Sequence, residues 1–318
     1  MRPVAGCYIL DVGHCNATII EGKKGTVLVD AGQSKIALIS FLEAHGVKSL
    51  EAVFISHADA DHIAGLLAVL SKANTDESFK IGHIYANPDS RDTAAWDDLT
   101  EMLDDMESRK LLTYTPNLGV DAPNGSIDLG ECSVELIAPS KYMRLRGVGG
   151  RHRDWGIQTA NSLSAVIYVR YGTSGWIMLP GDLDHIGLQD AVSRTVWHPA
   201  PVVIFPHHGG RAGTLLQTQE LTAAIMNHTK SNWVLFSGRS QTELFPSRHV
   251  VDTLLRFEPT PVMVSIGMSP VLAERIENLK PCSHRNGEGT LFVSPPDVGG
   301  SVNVTRYEPI SPISSRTH

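Results

Sequence analysis

The chain has 318 residues, 42% hydrophobic and 19% charged, which suits a folded enzyme with a sizeable core and excludes a disordered chain. Its 27 Lys and Arg against 34 Asp and Glu leave a formal charge of −7, so a nucleic-acid partner would have to be met by a local basic patch. The cysteines Cys7, Cys15, Cys132 and Cys282 show no CxxC spacing, which excludes a zinc ribbon or disulfide framework and reads as reduced, buried thiols.

The N-terminal stretch is broken by Asp11 and His14 and reads as a strand rather than a signal peptide. Tyr8 to Val12 and Ala17 to Glu21 are predicted strands, followed by a turn at Gly22-Lys23-Lys24-Gly25. Thr26 to Val29 is a buried strand ending in Asp30-Ala31-Gly32. Lys35 to His45 has helical spacing and stops at Gly46. Ala52 to Ile55 is a further buried strand leading into Ser56-His57, and a helix runs through Ile63 to Leu70. Ile81 to Tyr85 is a strand. Thr93 to Lys110 is an acidic helix whose carboxylates form a solvated face. After a turn at Asn124-Gly125, Cys132 to Ile137 alternates as a strand.

Tyr142 to Gly156 reads as a basic loop, with Arg144, Arg146, Arg151 and Arg153 among glycines. Guanidinium groups on a flexible loop suit phosphate binding, and a solvated loop is the alternative. Trp155 is the nearest candidate for base stacking. Strands follow at Ser164 to Tyr171, Trp176 to Leu179 and Val202 to Phe205, then a helix at Leu216 to Asn227. Trp233 to Ser237 is a strand, His249 to Phe257 a helix, and Val262 to Ile266 and Thr290 to Val293 are late strands. No stretch approaches the ~18 apolar residues of a membrane helix, and a cytoplasmic location is expected.

Three motifs each follow a buried strand: SHADADHIAG, LPGDLD and FPHHGG. Strand ends are where a rigid sheet aims side chains from short loops. His57, Asp59, Asp61 and His62 place four metal-capable groups in six residues, a crowding that a cation offsets. This stretch resembles the HxHxDH signature of the metallo-β-lactamase superfamily, with Asp59 at the middle His. The SHxDxDHxxG variant is most similar to the hydrolase domain of the competence protein ComEC. LDVGHCNATIIEGKKGTVLVDAG, NSLSAVIYVRYGTSGWIMLPGDLD, VVIFPHHGG and RNGEGTLFV extend the resemblance over residues 8 to 295, apart from an insertion near 71–126.

The resemblance implies an α/β fold, the metallo-β-lactamase αββα sandwich of two mixed β-sheets flanked by helices. One hydrolase domain is expected over 1–300, and the tail over 301–318, polar in composition, is expected to be largely disordered. The resemblance further implies two divalent metal ions per chain. His57 and Asp59 would hold one, Asp61, His62 and His208 the other, and Asp182 would bridge them. Asp61 and Asp182 are the catalytic carboxylates in this scheme, working with a metal-bridged hydroxide. His208 is preferred to His207 as the ligand, and His207 is left as the alternative ligand or a substrate contact. Asn161 stands where other members have a further metal-binding His. His249 is the alternative to a late His that is replaced here by Phe245 before Pro246. Asp30 is expected to brace the HxHxDH-like loop. The oxygen-rich donor set leaves Mn²⁺ competing with Zn²⁺.

Together with Arg151 and Arg153 as phosphate contacts, these features point to a phosphodiesterase or nuclease, with nucleic acid as a candidate substrate. A small-ester or lactone hydrolase is the alternative, and a non-catalytic binding module a third reading. A protein partner is left open.

Overall fold

The computed structural model describes residues 5–13, 16–87, 93–116, 118–122, 125–238, 245–277 and 284–308. In chain order the first half carries β1 (Gly6–Ile9), β2 (Ala17–Gly22), β3 (Gly25–Ala31), α1 (Lys35–Ala44), β4 (Ser49–Ile55), α2 (Ala60–Thr75), β5 (Lys80–Ala86), α3 (Ala94–Ser108) and β6 (Thr113–Thr115). Next come β7 (Ser126–Asp128), β8 (Cys132–Ala138), α4 (Lys141–Arg146), β9 (Arg151–His152), β10 (Gly156–Ile157), β11 (Val166–Tyr171), β12 (Ser174–Leu179) and α5 (His185–Arg194). The remainder is β13 (Val202–Ile204), α6 (Leu215–Thr229), β14 (Trp233–Phe236), α7 (Arg248–Leu254), β15 (Val262–Ser265), α8 (Pro270–Glu277), β16 (His284–Asn286), β17 (Leu291–Val293) and β18 (Val304–Arg306).

Among the described residues these strands form two eight-stranded mixed sheets, ordered β18-β17-β1-β2-β3-β4-β5-β6 and β16-β15-β14-β13-β12-β11-β8-β7. Each sheet is antiparallel on one side and parallel on the other. β3 to β6 run parallel in the first, and β12 to β16 in the second.

The central strands are apolar at consecutive positions because both of their faces are covered. In β3, Val27 and Val29 face the core between the sheets while Leu28 faces the helices. In β14, Leu235 points inward and Val234 and Phe236 outward. Successive side chains point to opposite faces, so one strand feeds two cores. The outer face of the first sheet is covered by Leu38 and Leu42 of α1, Leu66 and Val69 of α2, and Leu99 and Leu103 of α3. The second sheet buries Leu188 of α5, Leu221 and Ile225 of α6, and Val250 and Leu254 of α7. The result is a helix-sheet-sheet-helix sandwich, as expected. The Trp176 indole also donates a hydrogen bond across to the Ser294 carbonyl at 2.8 Å.

Several expectations are revised. The basic segment is not a plain loop: Lys141–Arg146 form α4, and β9 and β10 pair as a hairpin. Ser140 caps α4 by accepting from the Met143 N–H, a local signal that the surrounding glycines obscure. The region past residue 300 is not wholly irregular, since β18 pairs with β17 at the sheet edge. Residues 309–318 lie outside the described residues, as do His14, Cys15, Asn124 and Cys282. The segment near 71–126 adds β5, α3 and β6 to the first sheet and its helical layer. The acidic residues of α3 are exposed. Among the described residues no helix is long and apolar enough to cross a membrane.

Candidate metal centre

The three motifs meet at one end of the sandwich, where parallel strands of both sheets terminate. Asp30 is near the end of β3, and His57 follows β4 by two residues. Asp182 follows β12, His207 and His208 follow β13, and Ser237 follows β14. The carboxyl ends of parallel strands are the usual place for a site in open α/β sheets.

Asp59 is the N-cap residue of α2, yet its side chain makes no capping hydrogen bond. Asp ordinarily caps strongly. Here the carboxylate lies 3.7 Å from His57 Nε2 instead. Asp61 and His62 occupy the first turn of α2, where the positive end of the helix favours carboxylates. α2 approaches the strand end so closely that a Cβ on Gly65 would stand 2.0 Å from the Ala31 carbonyl oxygen.

Two groups of donor atoms result, each with its members within 4.8 Å of one another: His57, His62 and Asp182, and Asp61, His62 and His208. His62 Nε2 lies 3.8 Å from both Asp61 and Asp182, His57 Nε2 3.9 Å from Asp182, and His208 Nε2 3.4 Å from Asp61. His62 therefore stands between the two groups, beside Asp182.

Each imidazole is braced through Nδ1. His62 Nδ1 is 2.8 Å from Asp30, His57 Nδ1 is 3.0 Å from Ser56 Oγ, and His208 Nδ1 is 3.0 Å from Ser237 Oγ. Such partners orient a ring and turn Nε2 towards a metal. Asp30 also accepts from the Ser56 N–H at 2.7 Å and the Ser56 hydroxyl at 2.9 Å. Ser237 in turn donates to the Asn16 side-chain oxygen. Ser56, Ser237 and Asn16 are absent from the sequence-derived set. Ser56 could have been found from its place in the SHADADH run; Ser237 carries no comparable signal.

The backbone is strained at the same place. Asp30, His207 and His208 have φ of 54°, 50° and 56°, a region costly for residues with a Cβ. The His207 N–H donates to Asp182 at 3.1 Å, which helps hold that turn.

Burial, reinforced by the charge of His62, pushes the His57 imidazole well below its usual range. Burial opposes a proton on His62 too, but Asp30 and Asp182 outweigh it and hold its pKa well above the usual value. Burial pushes Asp61 upward, while the His208 hydrogen bond and His62 bring it down to about 2. Asp182 is held well below the carboxylate range by His208 and His62 despite its burial.

These residues fit a divalent metal. Nε2 of His57 and of His62 are buried with no hydrogen-bond partner among the described residues, a costly state for polar atoms. Ionised carboxylates and an unprotonated His57 are the forms that bind cations, and a cation would replace the proton that His62 otherwise attracts.

Residues 10–77 match the family model of the metallo-beta-lactamase superfamily. The two mixed sheets flanked by helices have the layering expected of the metallo-β-lactamase fold. ComE operon protein 3 of Bacillus subtilis (strain 168) is 22% identical over 251 residues, spanning 70% of this chain. The match takes in only 28% of that protein's length. The metallo-β-lactamase fold protein YhfI from Bacillus subtilis shares 12% identity at a TM-score of 0.47, covering 82% of this chain and 95% of YhfI. Igni18, a metallo hydrolase from Ignicoccus hospitalis, shares 13% identity at a TM-score of 0.42, covering 95% of this chain and 100% of Igni18.

The remaining expected residues sit around this centre or away from it. His207 lies with Nδ1 3.6 Å from Asp182. His207 and Asn161 line a groove of about 470 Å³ that also includes Asp184, His185, Arg211 and Gln217. His249, in the first turn of α7, is in neither donor group; Phe245, at the position of the late His, sets its ring edge-on to His208 with centroids 6.2 Å apart. Arg151 and Arg153 are exposed on the β9–β10 hairpin outside the lining of that groove, and Arg153 pairs with Asp154 at 3.2 Å. Arg144 pairs with Asp121, and Trp155 stacks on His152 at 4.1 Å. The arginine in the groove lining is Arg211, which directly follows the PHHGG motif.

Proposed function

We propose that this protein is a metal-dependent hydrolase of phosphodiesters, with His57, Asp59, Asp61, His62, Asp182 and His208 holding two divalent ions. The observation that carries this reading is the pair of overlapping donor groups, each within 4.8 Å, sharing His62. Asp182 contacts His57 through one oxygen and His62 through the other, the disposition needed of a bridging carboxylate.

When bound, the ions lower the pKa of water and offset charge building on phosphoryl oxygens. The chain's own part is to hold and orient. Asp30 and Ser56 fix the rings of His62 and His57, and Ser237 fixes His208. Asp61 is the proposed acid/base group: its partly exposed carboxylate stands beside His208 and His62 and can take a proton from the attacking water. Water adds its oxygen to phosphorus, the P–O ester bond breaks, and the proton taken up by Asp61 passes to the leaving oxygen. The polar, arginine-bearing groove beside His207 favours an anionic substrate over a neutral ester.

The test is metal analysis with a substrate panel under added Mn²⁺ or Zn²⁺. Close to two ions per chain and turnover of bis-p-nitrophenyl phosphate are expected, with single-stranded DNA or RNA as further substrates. Hydrolysis confined to a neutral ester or lactone would move the assignment to that class. A metal-free protein inactive on every substrate would remove it altogether.

A further inference from the structure

The groove beside the donor cluster holds three polar side chains with no partner among the described residues: the Arg211 guanidinium, the Asn161 amide and Nε2 of His207. The nearby carboxylates are otherwise engaged. Asp184 accepts from the Gly187 N–H at 2.9 Å and from the Thr159 and Ser162 hydroxyls at 2.8 and 2.6 Å. Glu220 lies 3.5 Å from His185. Arg211, exposed in the groove lining, therefore has its fork of donors free for an outside ligand. His207 ties the groove to the centre, since its other ring nitrogen is 3.6 Å from Asp182.

We propose that this groove receives the phosphate adjacent to the one hydrolysed, with Arg211 as its principal contact and Asn161 as a second donor. The preferred substrate is then a phosphodiester chain carrying at least two phosphates. The inference rests on the phosphodiesterase reading above. An arginine suits this task because its planar fork matches two phosphate oxygens at once. The volume of about 470 Å³ lies within the range of ligand sites.

The test compares two substrates that differ only in that second phosphate: thymidine dinucleotide and the same dinucleotide with a 5′-phosphate. The metal-loaded wild type is expected to show a KM lower by about tenfold for the phosphorylated form, the worth of one charge-assisted contact. In Arg211→Ala this advantage should largely vanish, while Arg211→Lys retains part of it. The Kd of thymidine 3′,5′-bisphosphate, measured by calorimetry, should rise about tenfold in Arg211→Ala, with a smaller change for thymidine 5′-monophosphate. Metal content and melting temperature report that the variant is folded. Equal KM values for the two dinucleotides in the wild type, or an advantage that survives Arg211→Ala, overturn this inference and leave the phosphodiesterase reading standing. No cleavage of either dinucleotide, with bis-p-nitrophenyl phosphate turned over, also overturns it alone. No turnover of any phosphodiester overturns both.

Discussion

At the scale of single residues, hydroxyl and carboxylate groups stand directly behind the imidazoles of the donor cluster. Asp182 is buried and lies within 4 Å of His57 and of His62, the residue the two donor groups share, so Asp182→Ala should lose at least one of the two ions and nearly all turnover, as read by elemental analysis beside kinetics. Full metal content in that variant would falsify the bridging role. His208→Ala should weaken metal binding more than His207→Ala, because Nε2 of His208 faces Asp61 and its Nδ1 is braced by Ser237. The reverse order in a metal titration would make His207 the ligand. Ser56→Ala removes a hydroxyl that touches Asp30, His57 and His62 together. Loss of such an outer partner lowers metal affinity by about 10- to 100-fold. A competition titration with a chelating dye checks this, and an unchanged affinity would reduce Ser56 to ordinary packing.

At the scale of elements, α2 is the part most narrowly placed. Its first turn carries Asp61 and His62, and its position relative to β3 is set where Gly65 meets Ala31. The Gly65 N–H also donates to the Gly32 carbonyl at 2.8 Å, fixing helix to strand end. Gly65→Ala should therefore cost stability, by about 1–3 kcal/mol for a buried overpacked site, and should lower metal affinity as α2 is pushed outward. Urea unfolding and the same chelator competition measure the two effects. A stabilised variant, as expected from helix propensity alone, would show that the helix moves freely.

At the scale of the whole molecule, the metal would join loops from both sheets. His57, Asp61 and His62 follow strands of the first sheet, whereas Asp182 and His208 follow strands of the second. Ions that bind only the folded arrangement stabilise it by mass action, by about 2.7 kcal/mol at a hundredfold excess over Kd. Chelation should accordingly lower the melting temperature by several degrees, reversibly on adding Mn²⁺ or Zn²⁺. A melting curve indifferent to chelator and metal would argue that the donor cluster carries no ion.

Much of this was legible in the chain because its determinants are local. Continuous apolar runs such as Val202 to Phe205 mark strands covered on both faces, and the motifs that follow β4, β12 and β13 place donors at strand ends by stereochemistry alone. The spacing of His57, Asp59, Asp61 and His62 needs no distant contact to suggest a cation. The expected αββα layering came from the resemblance. Other features arise from residues far apart in sequence, whose meeting depends on sheet order and register. Asn16 and Ser237 are 221 positions apart and touch because the start of β2 and the end of β14 lie at the same edge of the sandwich. The position of His62 between two donor groups depends on how α2 sits against β3, which hydrophobic periodicity does not specify. The basic segment was missed for a different reason: composition predicted a flexible loop, whereas a local Ser140 cap and a short hairpin are formed, signals that the surrounding glycines obscure. Arg153 meets its chain neighbour Asp154, whereas it is the fold that puts Arg211 in the groove, since charge is visible in a sequence but position belongs to the tertiary structure.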